Sequence, residues 1–355
     1  MNKLGIFVDS LKRDGAERVS VNLAKYMVSR GIETTIITEW ISENEYDVPK
    51  GVKRVSIDSK KDKYKKYPYN IWKMRKAIMD SGIDTLLVMD LPGSLIAIPA
   101  SRGMNIKVVV SERNDPTHFP GKQIVAKVSR WLMSKADGFV YQTKEAQEFY
   151  KGITKGRGVV IPNPLFVESM PEPYKGERRK YIVTAGRLTE QKNQMMLIEA
   201  FALLNKSVAG YNLIIYGEGA LKKDLENAAV RLGVEKQVSF PGNKKDLLCR
   251  IKDASLFVMT SNFEGMPNAL LEAMALGLPV ISTDCPCGGP RAVIDNNING
   301  ILIEVGDTVD CAEKMKQILT DEQLGKRLGE NAILIRKRLD SNSICEKWMR
   351  YLENV

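Results

Sequence analysis

The chain has 355 residues, 44% of them hydrophobic, and 53 Lys and Arg against 43 Asp and Glu give a formal charge of +10. At roughly 150 residues per domain the length suggests two domains, and the apolar content excludes a globally disordered chain. No apolar run reaches the roughly 20 residues of a membrane span; the best, residues 83–100, is broken by Asp84, Asp90 and Pro92.

Short apolar runs read as strands at 4–8, 34–38, 85–89, 107–111 and 138–141, with a helix over 16–30 after the first. The opening run is too short for a signal-peptide core, so a cytoplasmic protein is expected. Segments 71–79 and 123–136 mix apolar and basic positions at helical spacing. Prolines at 162, 164, 171 and 173 then mark a linker, dividing the chain into domains 1–170 and 171–340, with a last helix over 341–355. Beyond the linker, strands are expected at 180–185, 212–216, 237–240, 256–259, 279–282 and 300–303, and helices at 193–204, 221–232 and 269–276. This alternation is that of βαβ units. It predicts an α/β protein of two Rossmann-like domains facing each other across a cleft, with ligands at the C-terminal ends of the strands.

Charge divides unevenly. Residues 1–175 hold 29 Lys/Arg and 20 Asp/Glu, and residues 176–355 hold 24 and 23. The five cysteines all follow residue 248, and Cys285-Pro-Cys287 has no second pair at zinc spacing, so they read as reduced structural thiols, with no metal site.

Two phosphate motifs are absent: there is no P-loop, and Gly217-Glu218-Gly219 is followed by Lys222 where a dinucleotide fingerprint needs glycine. No Asp-x-Asp is present to hold a metal diphosphate, so side chains and helix termini would have to neutralise one. Arg187 and Lys192 flank the strand-to-helix loop after 180–185, and read either as solvated cations or as a phosphate clamp. Residues 261–269 open a helix after strand 256–259, where free N–H groups favour a phosphate. If one helix carries both Glu264 and Glu272, they lie roughly 12 Å apart along it and about 80° around it. That is too far for a glycosidase pair but suits the two ends of an extended ligand such as a nucleotide-sugar. Glu272 taken alone reads first as an exposed helical glutamate, although Leu270, Leu271, Ala273 and Met274 around it are apolar.

Together, Gly186-Arg187-Leu188 with Lys192-Asn193, Tyr216-Gly217-Glu218-Gly219, Phe240-Pro241-Gly242, Glu264 with Glu272, and Gly277-Leu278-Pro279-Val280 resemble the retaining glycosyltransferase family 4 over most of residues 180–305. Asp14-Gly15-Ala16-Glu17-Arg18 resembles that family's glycine-containing loop after the first strand, with Asp14 in place of the usual second glycine. The resemblance implies a GT-B fold with the donor in the C-terminal domain, the acceptor in the N-terminal domain, and the last helix packing back on the latter. By position, Arg187 and Lys192 would hold the diphosphate of a nucleotide-sugar, UDP-linked in the first instance, and Glu272 the ribose. Glu264 and the backbone of Gly265, Met266, Pro267, Asn268 and Ala269 would hold the transferred sugar. Gly217, Gly242 and Asn243 would line the nucleotide site, and Gly15 would let backbone approach the phosphate. Many members carry a histidine where this chain has Arg113; the only histidine, His118, lies five residues on. Arg113 is taken with Glu264 as the catalytic pair. The implied chemistry is metal-free, cofactor-free, front-face transfer with retention.

The lysines at 60, 61, 63, 65 and 66, with segments 71–79 and 123–136, fit either ordinary Rossmann helices or a basic amphipathic surface on an anionic membrane. The second reading goes with a lipid-linked or cell-surface glycan acceptor and a peripheral position at the inner face of the plasma membrane. Two alternatives are a GT-B sugar-nucleotide epimerase and a basic nucleic-acid-binding protein. The latter lacks a recognition motif and has a nearly neutral second half, so no nucleic-acid partner is expected.

Overall fold

The structure, a computed structural model, describes residues 1–12, 15–57, 63–119 and 122–355, with side chains from residue 67 onward in the helix that begins at Lys63. Asp14 and the lysines at 60 and 61 therefore lie outside the described residues, as do the side chains of Lys63, Lys65 and Lys66. Two units form, one of Met1–Pro164 with Ser341–Val355 and one of Leu165–Asp340. The division falls just after the Pro162/Pro164 pair rather than at 170/171. Leu165 already belongs to the second unit, because its N–H donates to the Leu339 carbonyl and it bridges to Asp340.

Among its described residues the first unit has seven strands: β1 (Lys3–Val8), β2 (Glu33–Thr38), β3 (Lys53–Ser56), β4 (Thr85–Val88), β5 (Lys107–Glu112), β6 (Gly138–Tyr141) and β7 (Val159–Val160). They are all parallel and stand in the order β3-β2-β1-β4-β5-β6-β7. Ile6, Ile36, Leu87, Val109 and Phe139 are fully buried, as a parallel sheet covered on both faces requires. The helix Ser341–Asn354 closes this unit: Trp348 is fully buried, Phe139 N–H donates to the Tyr351 hydroxyl at 2.9 Å, and Tyr26 donates to Glu346 at 2.7 Å.

The second unit repeats the plan with β8 (Arg179–Ala185), β9 (Asn212–Tyr216), β10 (Val238–Ser239), β11 (Ala254–Met259), β12 (Val280–Thr283) and β13 (Ile301–Ile303), in the order β10-β9-β8-β11-β12-β13. Its core brings Leu197 and Phe201 of helix Gln194–Asn205 and Met315 of helix Thr308–Thr320 onto Ile182, Leu213, Leu256 and Ile281. In each sheet the strand order reverses between the first and fourth strands, β1/β4 and β8/β11. That reversal opens a crevice beyond the strands' C-terminal ends, where doubly wound sheets bind ligands. Among the described residues no helix is long and apolar enough to cross a membrane.

Candidate active site

The reversal in the second sheet is where its charged side chains meet. The loop after β8 runs from Gly186 to Asn193, and the loop after β11 from Thr260 to Pro267. Hydrogen bonds stitch the two together. Asn262 N–H donates to the Gln191 carbonyl at 2.8 Å, the Asn262 side chain to the Glu190 carbonyl at 2.8 Å, and the Gln191 side chain to the Phe263 carbonyl at 3.1 Å. Asn193 adds a fourth tie. It sits in the left-handed region at φ 43°, caps helix Gln194–Asn205 by accepting from Met196 N–H, and donates to the Asn262 side chain at 3.0 Å.

This stitching brings the Lys192 ammonium into an ion pair with the Glu264 carboxylate, and Ser261 donates to the same carboxylate at 2.7 Å. Both partners are largely out of water, with side-chain exposures of 18% for Lys192 and 7% for Glu264. A buried carboxylate with a cation and a hydroxyl on it is held in one position, and the lysine keeps donors to spare. Thr283 and Cys285 both donate to the Ser261 carbonyl, fixing the residue that fixes Glu264. Burial pushes the Cys285 thiol up to about 12, so it is a structural donor and not a nucleophile. All five cysteines are free thiols.

Arg187 is exposed, with no hydrogen bond or ion pair to its guanidinium among the described residues. Its carbonyl accepts from Gln194 at 2.9 Å, which fixes the backbone and leaves the fork available to an anion. The glycines around it are steric requirements. A Cβ on Gly217, whose φ is 138°, would lie 1.9 Å from the Gly186 carbonyl oxygen, and one on Gly219 would lie 2.3 Å from that of Leu188. Gly217 N–H also donates to the Gly242 carbonyl, so the loops after β8, β9 and β10 abut with Arg187 in the first of them. Asn243 is exposed beside them.

Helix Asn268–Ala275 starts within one residue of the 269–276 expected from the sequence, so Glu264 lies before it and the two glutamates do not share a helix. Gly265 and Met266 form a bend and Pro267 is extended at the N-cap, so Glu264 stands in the loop, four residues before the helix, and the rise and rotation reckoned along one helix do not apply. Gly265, Met266 and Pro267 are buried, Asn268 and Ala269 half-buried, and the helix N-terminus has no side-chain cap. Glu272 is 8% exposed among Leu270, Leu271 and Ala273, which overturns its reading as a solvated helical glutamate. The segment after β12 closes over the loop so tightly that a Cβ on Gly289 would fall 1.5 Å from the Gly265 oxygen.

Gly15 and Arg113 belong to the first unit. Gly15 is exposed and starts helix Gly15–Ser29. Arg113 follows β5 and donates to Asn163, which also accepts from Gln142 at 2.7 Å. Its guanidinium lies 6.0 Å from the Trp348 ring, and its Nε and Nη1 are buried with no hydrogen-bond partner among the described residues. Burial pushes its pKa down to about 10 against the pull of Glu112 and Glu17, so it stays cationic at neutral pH. Beside it, burial raises the Glu112 pKa, although Tyr150 O–H and the Asn114 and Arg113 N–H groups donate to it. At the reversal of this sheet, desolvation and the neighbouring Asp9 push the Asp90 carboxyl well above the carboxylate range. His118 is a turn residue: its Nδ1 sits 2.9 Å from Thr117 Oγ1 and 3.3 Å from an Asp115 oxygen, with a side chain 45% exposed. Ser261, Asn163 and the Asp9/Asp90 pair were not singled out from the sequence. Only Ser261 left a signal there, a hydroxyl three residues before Glu264 in a loop after a strand.

The glycosyltransferase family 4 model matches residues 13–168, and the model for glycosyl transferases group 1 matches residues 168–334. Among curated relatives, a Campylobacter jejuni GalNAc-α-(1→4)-GalNAc-α-(1→3)-diNAcBac-PP-undecaprenol α-1,4-N-acetyl-D-galactosaminyltransferase is 25% identical over 366 residues, covering 100% of this chain and 99% of its own. A second enzyme of that organism, an N-acetylgalactosamine-N,N'-diacetylbacillosaminyl-diphospho-undecaprenol 4-α-N-acetylgalactosaminyltransferase, is 27% identical, covering 99% and 100%. Among solved structures, Anabaena HepE in complex with UDP and glucose superposes with a TM-score of 0.85 at 19% identity, covering 100% of both chains.

Proposed function

The chain belongs to the glycosyltransferases, with a family 4 domain at 13–168 followed by a group 1 domain at 168–334 in a GT-B fold, and on that premise we propose that it moves a sugar from UDP to a lipid-linked glycan precursor with retention of configuration. The observation that carries the reading is the Lys192–Glu264–Ser261 cluster at the β8/β11 reversal, with the unpaired Arg187 fork in the same loop. Arg187 and Lys192 supply the charge that a departing diphosphate needs. Glu264 and the loop to Ala269 offer acceptors and N–H groups to sugar hydroxyls, and Glu272 offers a buried acceptor for a ribose diol. No protein nucleophile or metal is required: stabilising the leaving group and positioning the acceptor lower the barrier, with attack on the face the diphosphate leaves. The orphaned donors of Arg113 suit an anionic group of the acceptor. The UDP complex of HepE and the lipid-linked substrates named for the Campylobacter enzymes support the choice of donor base and acceptor class. With such an acceptor we read the enzyme as a peripheral protein of the membrane's inner face.

The test incubates the purified protein, with EDTA present, with UDP-GalNAc, UDP-GlcNAc, UDP-Gal and UDP-Glc and undecaprenyl-diphosphate-linked mono- to trisaccharides. Mass spectrometry reads transfer, and NMR reads the new anomeric centre. An α-linked product from one UDP-sugar is expected. An inverted linkage, dependence on a metal, or no transfer from any UDP-sugar overturns the corresponding part. Conversion of a UDP-sugar without any acceptor would favour the epimerase reading.

A further inference from the structure

Helix Gln123–Met133 presents its bulk outward. Its small residues Ala126 and Ser129 are buried with Met133, while Ile124, Val128 and Trp131 are exposed at 64%, 41% and 58%. These three recur at i, i+4 and i+7 and form one stripe. The inward side is already occupied: Ser94 of helix Ser94–Ser101 donates to the Ser129 carbonyl at 3.2 Å. Residues 122–136 contain Lys122, Lys127, Arg130 and Lys135 and no acid. The three lysines are exposed, with no ion pair among the described residues, and the Lys135 ammonium lies 5.4 Å from the centre of the Trp131 ring. The same layer continues through helix Ser94–Ser101 to helix Lys63–Ser81. There Trp72 and Met79, exposed at 54% and 55%, recur with exposed Lys76 at the same spacing.

We propose that this helix layer of the first unit, led by Ile124, Val128 and Trp131, docks on an anionic bilayer with the stripe in the boundary between headgroups and acyl chains. Tryptophan beside lysine is the pairing that boundary favours, the ring at headgroup depth and the ammonium on lipid phosphates. A protein partner is the poorer fit, because specific interfaces deplete lysine and need acceptors in fixed register, whereas flexible lysines suit a diffuse negative surface. The surface serves the lipid-linked acceptor proposed above, and it rests on that reading for its purpose alone.

Vesicle flotation at 150 mM salt tests it, with the full chain and phosphatidylglycerol/phosphatidylcholine vesicles (1:2) against phosphatidylcholine alone. Wild type is expected to float with the first and not the second. Ile124→Ser/Trp131→Ser is expected to lower partitioning by about tenfold, and Lys122→Gln/Lys127→Gln/Lys135→Gln by a similar factor. All five positions are exposed, and circular dichroism with cooperative thermal unfolding checks that each variant folds; if the serine variant does not fold, the glutamine variant decides. Equal flotation with both vesicle types, no flotation of wild type, or wild-type flotation by a folded variant overturns the proposal. Transfer to a water-soluble short-chain acceptor separates the two readings. If wild type transfers no sugar while flotation follows the variants, the enzymatic reading fails and the docking surface stands.

Discussion

The resemblance gives Lys192 and Glu264 different parts of a donor, the diphosphate and the sugar, yet in the structure they contact each other. Each is the other's main source of compensation for lost water, and this makes their separate roles measurable. Lys192→Ala removes a charged donor from the diphosphate, worth about 1.5–3 kcal/mol, so UDP affinity is expected to fall about ten- to hundredfold by calorimetry. It also strands a carboxylate that is 7% exposed, so the variant loses stability for a reason unrelated to the ligand. Adding Glu264→Gln removes the stranded charge. The double variant is therefore expected to regain most of the lost stability in urea titrations but none of the lost UDP affinity. Recovery of both would mean that Lys192 serves only to neutralise Glu264, and recovery of neither would mean that the lost stability does not come from the stranded carboxylate.

The glycine loops tie the position of Arg187 to close backbone packing. Gly217→Ala would place a methyl 1.9 Å from the Gly186 oxygen at a φ of 138°, a contact that only backbone movement relieves. The loop that would move carries Arg187, so the variant is expected to lose more than about 2 kcal/mol of stability and at least about tenfold in UDP affinity. Gly210→Ala, also at positive φ but with nothing within 4 Å, is the control, and only its strain cost should appear. At this scale the sequence was readable where one signal sufficed. Strands such as β1, β4 and β11 are apolar runs buried on both faces and announced themselves. β3 is exposed or half-buried along its length and β7 has two residues, so neither forms a run. Helix Asn268–Ala275 was legible to within a residue, but a helical rise between Glu264 and Glu272 does not apply because Glu264 precedes the helix. Periodicity found the stripe on helix Gln123–Met133 but not its direction, because 3.6-residue spacing states that two faces differ and not which one meets the sheet.

For the whole molecule, the division of charge in the sequence follows the division of the fold. The excess of cations belongs mainly to the unit that carries the basic helix layer, and the nearly neutral half folds into the unit that holds Arg187, Lys192, Glu264 and Glu272. The chain ends in the first unit, so a residue far along the sequence from the basic segments tests this partition. Trp348 is fully buried against it, with Tyr351 and Glu346 of the same helix hydrogen-bonded to Phe139 and Tyr26. Trp348→Ala removes that packing and exposes the neighbourhood of Arg113, at a cost of about 3–5 kcal/mol in chemical denaturation. Every proposed donor contact from Arg187 to Glu272 lies outside the unit it damages. UDP affinity is therefore expected to stay within about twofold of wild type, while transfer, which needs Arg113 and a formed acceptor surface, falls sharply. A folded Trp348→Ala protein that loses UDP along with activity would show that donor binding depends on the first unit and that the partition of labour is wrong.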